Sequence, residues 1–151
     1  MRQQTLRPEF VEVIPERLEA GVLYICEQYR TVAHNCCCGC GQEVITPLSP
    51  VDWSMRQEGG SVTLHPSIGN WGFPCRSHYF IRRNQVVWAK SMTRSEVEQV
   101  RRRDQRDKAA YIKEVNRAKE EAHPGFFKAK GDTDGKPYAF MRLLRAFFLG
   151  Q

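Results

Sequence analysis

The chain of 151 residues has no run of about 18 apolar residues, so a membrane-spanning helix is not expected. Nor is there an apolar stretch behind its polar opening, MRQQTLRPEF, which argues against a secretory signal and for a cytoplasmic protein. No internal repeat is visible. No HExxH pattern occurs, so the helix-borne signature of zinc peptidases is missing. Long blocks of one charge are missing too. Residues 1–90 carry 9 basic and 8 acidic side chains, residues 91–123 carry 9 and 7, and residues 124–151 carry 5 and 2. The net charge of +6 therefore permits nucleic-acid or acidic-protein partners without demanding either. Seven acidic residues within 91–123 interrupt any phosphate-binding stripe there, so nucleic acid is not the expected partner.

What remains is a foldable composition, 41% apolar and 26% charged, of a length that suits one domain or a small domain with a helical appendage. Six cysteines stand at positions 26, 36, 37, 38, 40 and 75. A disulfide scaffold spreads its cysteines along the chain, and adjacent cysteines bridge each other poorly because their side chains diverge. Four cysteines within five positions therefore read as a metal site. Cys26 lies among strand formers and reads as core.

The expected fold class is α+β: a small zinc-stapled antiparallel β domain over residues 1–91, then a helical region over 92–151 that packs on it or on a partner. Strand formers cluster at Val11–Ile14, Gly21–Tyr29, Thr31–His34, Val44–Ile45, Ser61–His65 and Gln85–Ala89. Val51–Met55 reads as a short extended segment or turn, Glu58-Gly59-Gly60 as a hairpin turn, and Pro66–Pro74 as a loop. Residues 93–122 contain neither Gly nor Pro, and Thr93 with Glu96 forms a capping box. This predicts one long exposed helix, or two broken near Asp104–Asp107. The apolar spacing of Phe140, Leu143, Leu144, Phe147 and Phe148 predicts a further docking helix.

Zinc prefers four tetrahedral thiolate or imidazole ligands. Cys36, Cys38 and Cys40 alternate, while Cys37 and Cys40 offer a competing CxxC spacing. Cys75 and His78 form a CxxH pair 35 residues beyond Cys40. Cys40, Cys75 and His78 are the firmest candidates and Cys38 follows; Cys36 and Cys37 compete. Four protein ligands would make the site structural, whereas a catalytic zinc keeps a place for water.

The stretch Leu64-His65-Pro66-Ser67-Ile68-Gly69-Asn70-Trp71 holds a candidate nucleophile in Ser67. A serine needs a base within hydrogen-bond reach; His34 and His65 are candidates, with Glu43 or Asp52 to orient the ring. Ser77 is a second candidate nucleophile. The same residues can be read as a turn cap with core aromatics.

Four segments carry a family resemblance: AHNCCCGCG at 33–41, VITPLSPVDW at 44–53, VTLHPSIGNW at 62–71 and FPCRSHYFI at 73–81. Through them the chain resembles the bacterial DUF6527 family. The resemblance implies a partner in a bacterial ubiquitin-like protein and in E1- and E2-like enzymes of the same operons, with a link to antiviral defence. It also implies zinc at the matching positions Cys36, Cys38, Cys40, Cys75 and His78, and chemistry at His34 and Ser67. The expected function is a serine peptidase or isopeptidase that processes or removes the modifier, with zinc-dependent hydrolysis as an alternative chemistry. The alternative without catalysis is a zinc-stapled adaptor in the same pathway.

Overall fold

The computed structural model describes residues 1–122. The expected docking helix near the C-terminus lies outside them. Eight strands precede one helix: β1 (Arg7–Phe10), β2 (Val22–Cys26), β3 (Thr31–Asn35), β4 (Glu43–Pro47), β5 (Ser54–Glu58), β6 (Ser61–Gly69), β7 (His78–Arg82), β8 (Gln85–Trp88) and α1 (Arg94–Ala122). The strands and the first turns of α1, up to Ala109, form one compact unit, and the rest of α1, residues 110–122, belongs to a second.

Two four-stranded sheets result, ordered β1-β2-β3-β4 and β5-β6-β7-β8. All pairings are antiparallel except β1 with β2, which run parallel. That exception corrects the purely antiparallel expectation. Parallel neighbours need a connection that carries the chain back along the sheet, and the Pro15-containing segment between Phe10 and Val22 does so. Inward side chains of both sheets meet in one core, with Leu23, Ile25 and Val32 from the first and Leu64, Tyr79 and Ile81 from the second. β2 is buried on both faces, which explains why VLYIC lacks a polar alternation.

The main departure from expectation lies in β6. The segment read as a loop from Pro66 onward continues the strand to Gly69. Leu64 pairs with Ile81 and Ile68 with Tyr79, so β6 carries two extra residues against β7 between those pairs. This irregularity accommodates Pro66, whose missing N–H excludes it from a regular interior ladder. Ile68 returns to the core, and Ser67 and Gly69 face the other way.

α1 is a single helix through Asp104–Asp107. Its capping box is formed, with the Glu96 carboxylate accepting from the Thr93 N–H at 2.7 Å and the Thr93 hydroxyl from the Glu96 N–H at 3.3 Å. Of its thin apolar face only Val97 is buried. Asp52 and Lys108 form an ion pair between the loop before β5 and the helix. Among the described residues no helix is long and apolar enough to cross a membrane.

Ile81 is fully buried where β7 meets both β6 and β8. Ile81→Ala is expected to cost about 2–5 kcal/mol of stability, read as a lowered urea midpoint at unchanged slope.

Candidate functional site

β7 divides its side chains by alternation: Tyr79 and Ile81 enter the core, while His78 and Phe80 stand on the opposite face. Gly69 of β6 lies directly across from His78, and Ser67 is on the same face two residues earlier. Ser67 Oγ lies 3.0 Å from His78 Nε2. On the far side of the ring, Nδ1 lies 2.8 Å from the Lys90 carbonyl oxygen. A carbonyl only accepts, so Nδ1 carries the hydrogen and Nε2 presents its lone pair to the Ser67 hydroxyl.

Aromatic neighbours hold the ring. Trp71 packs against His78 with centroids 5.0 Å apart, and Phe80 lies 6.2 Å away. The indole of Trp71 also rests on Gly69, where an added Cβ would meet Trp71 Nε1 at 2.4 Å. Glycine is thus required by the packing that fixes His78. Ser67 and His78 open into a cleft of about 290 Å³, whose opposite wall includes Val100 and Arg101 of α1.

The expected base, His34, is elsewhere. It is fully buried, and its Nε2 is 2.8 Å from the Tyr79 hydroxyl. Its Nδ1 has no partner among the described residues. Burial alone holds its pKa down at about 4. The structure therefore does not bring His34 to Ser67, because β3 points His34 into the core; the imidazole beside Ser67 is that of His78. His65 is exposed and opposes Ser54. Asp52 bonds Ser49 and Lys108, and Glu43 is exposed on β4; neither is a hydrogen-bond partner of His78.

The cysteines gather beside this site. Sγ atoms of Cys36, Cys38, Cys40 and Cys75 all lie within 4.8 Å of one another. Separations of 3.4 Å for Cys36–Cys38, 3.9 Å for Cys36–Cys75 and 3.7 Å for Cys40–Cys75 far exceed a disulfide bond. They bracket the edge of about 3.8 Å that follows from a tetrahedron with metal–sulfur bonds of about 2.3 Å. The four thiols are thus geometrically compatible with a metal. Gly39 makes the tight loop possible: its φ is +85°, and a Cβ there would meet the Met1 backbone at 2.8 Å. Burial pushes the Cys38 thiol up to about 12. Burial also raises Cys75, but hydrogen bonds from Ser77 and from its cysteine neighbours outweigh it and bring that thiol to about 7.

His78 does not join this cluster, because both ring nitrogens are engaged elsewhere. The competition between Cys36 and Cys37 resolves in favour of Cys36; Cys37 turns into the core, where burial pushes its thiol up to about 12. Cys26 is core as well, 3.0 Å from the Glu12 carbonyl.

Two residues, Ser77 and Asn70, tie the cluster to the Ser67–His78 pair. Ser77 Oγ is 3.1 Å from Cys36 Sγ and accepts from the Asn70 amide at 2.9 Å. The Asn70 N–H donates to the Ser77 carbonyl at 2.9 Å. Ser77 is therefore buried in the link and has no histidine partner among the described residues. The only sequence signal for this role was position: Ser77 and Asn70 directly adjoin His78 and Gly69.

A hydroxyl, an imidazole and an acceptor behind the imidazole form the constellation of a serine hydrolase, recognised by geometry rather than by residue order. Residues 10–89, just over half the chain, match the family described as bacterial ubiquitination-like system serine protease (BubE), and the chain belongs to that family. The relation to a bacterial ubiquitination-like system agrees with the expectation, under this family description rather than DUF6527. No curated protein and no solved structure matches.

Two outcomes are expected. Cys75→Ser lowers bound metal, measured by elemental analysis of the purified protein, while His78→Ala leaves metal content unchanged. The second concerns His34, whose pKa is lower folded than the ordinary 6.5. The unfolded chain then binds the proton first as pH falls, so this stabilising contribution is present above about pH 6.5 and is lost toward about pH 4. Stability is expected to drop by about 2 kcal/mol more between about pH 7 and pH 5 in the wild type than in His34→Gln, by urea unfolding.

Proposed function

We propose that this protein is a peptidase or isopeptidase that processes a bacterial ubiquitin-like protein or removes it from its conjugates. Ser67 is the nucleophile, His78 the general base and then the general acid, and the Lys90 carbonyl the group that orients the ring. The observation that carries this reading is the Ser67 Oγ–His78 Nε2 contact at 3.0 Å, with Nδ1 anchored behind it. Ser67 attacks the carbonyl of the scissile bond and passes its proton to His78. His78 returns the proton to the leaving amine, and water then releases the acyl group from Ser67 as a carboxylate.

The cysteine cluster is read as a zinc site, since four thiolates at tetrahedral spacing suit that ion. Cys36, Cys38, Cys40 and Cys75 fill all four positions, so zinc would staple the loops before β4 and β7 and take no part in the reaction. A cytoplasmic setting and contact with E1- and E2-like enzymes complete the proposal.

The test is cleavage of a fusion between the ubiquitin-like protein of the same system and a reporter. Ser67→Ala and His78→Ala are each expected to lower kcat/KM by about a thousandfold or more with zinc content intact. Equal cleavage by wild type and Ser67→Ala would overturn the serine mechanism. Firm binding without cleavage by the wild type would favour the adaptor.

A further inference from the structure

The pairing of β6 stops short on one side. β5 accompanies β6 only as far as Ser54 opposite His65. Before Ser54 the chain leaves the sheet, and the Trp53 N–H donates to the Pro47 carbonyl instead. Among the described residues, Pro66–Gly69 thus has β7 along one edge and no strand along the other.

The direction of the backbone groups on that segment follows from its neighbours. The Ala89 N–H donates to the His78 carbonyl at 2.9 Å, so the main-chain groups of His78 face β8. Those of Tyr79 consequently face β6, and its partner Ile68 faces β7. The Asn70 N–H donating to the Ser77 carbonyl confirms the phase. By alternation, the N–H and C=O groups of Ser67 and Gly69 point to the vacant edge. Both residues line the cleft, together with Val51 and Trp53 of the segment before β5.

We propose that the cleft takes its substrate as an extended strand, paired with the outward edge of β6 at Ser67 and Gly69 and continuing the line of β5. This rests on the reading of Ser67 as nucleophile for the identity of the occupant, which is the C-terminal tail of the ubiquitin-like partner. The edge selects an occupant by chemistry. It presents backbone donors and acceptors two residues apart, which only an extended chain with its own main-chain groups unpaired can match. A folded surface or a helix has already spent those groups. Pairing at Ser67 also lays the main chain of the tail, and therefore a scissile carbonyl, beside the hydroxyl that faces His78.

The test uses the full-length Ser67→Ala variant, which binds without cleaving, and a short synthetic peptide with the C-terminal sequence of that ubiquitin-like protein. Saturation with peptide is expected to slow hydrogen exchange of the Gly69 amide by about tenfold or more. Methylating the amides of the peptide one at a time is expected to weaken binding by up to about tenfold at alternate positions only. Unchanged exchange at Gly69, no binding, or losses without the two-residue period would overturn the proposal. So would a Gly69 amide already protected before peptide is added, which would assign the edge to another segment of this chain. Labelling of wild-type Ser67 by a fluorophosphonate reports the nucleophile separately. Labelling without protection of Gly69 overturns strand pairing alone, and protection without labelling overturns the nucleophile alone.

Discussion

The register of β6 against β7 is the constraint on which the site depends. Two extra residues between Leu64 and Ile68 let the strand absorb a proline in its interior and still return Ile68 to the core. A one-residue change in that offset would exchange the two faces of the strand, burying Ser67 and exposing Ile68. The core side chains on β7, Tyr79 and Ile81, therefore hold the Ser67–His78 pair in place from the opposite face. Packing and chemistry share the same two strands, one on each side.

The cysteine cluster acts on the same strand from its start. Cys75 and Ser77 lead directly into His78, and Asn70 follows directly on Gly69. Hydrogen bonds from Asn70 to Ser77, and from Ser77 to the sulfur of Cys36, join the ends of β6 and β7 to the loop that follows β3. A metal held by Cys36 and Cys75 would cross-link those two loops outright. In that arrangement the cluster serves the proposed reaction by limiting how far β7 can drift from β6, at a distance from the bond being broken.

Much of this was legible in the residues. The capping box at Thr93, the Gly59-Gly60 turn and the concentration of cysteines each signal structure through local chemistry, and local chemistry is what a sequence displays. Ser67 drew notice for a similar reason, as a serine between a proline and a β-branched residue with Gly69 just beyond. His78 stands beside Ser67 where His34 was expected, because the place of each depends on which face of a strand it occupies. That is set by pairing partners far along the chain: β3 turns His34 toward Tyr79, and the chain leaving β8 places Lys90 behind His78. The CxxH spacing of Cys75 and His78 misleads for the same reason. It suggests two ligands on one turn, but the strand begins at His78 and alternation sends its side chain away from the sulfurs.

The group behind the imidazole is a main-chain carbonyl rather than an aspartate. Its identity is indifferent to the amino acid at position 90, whose side chain is free to vary while the oxygen stays where β8 leaves it. A search for three polar side chains in a row would find only two here. Alanine scanning would pass over the third, since no exchange of side chain at that position deletes it. The orienting function belongs to the course of the chain and changes only when the backbone itself is moved.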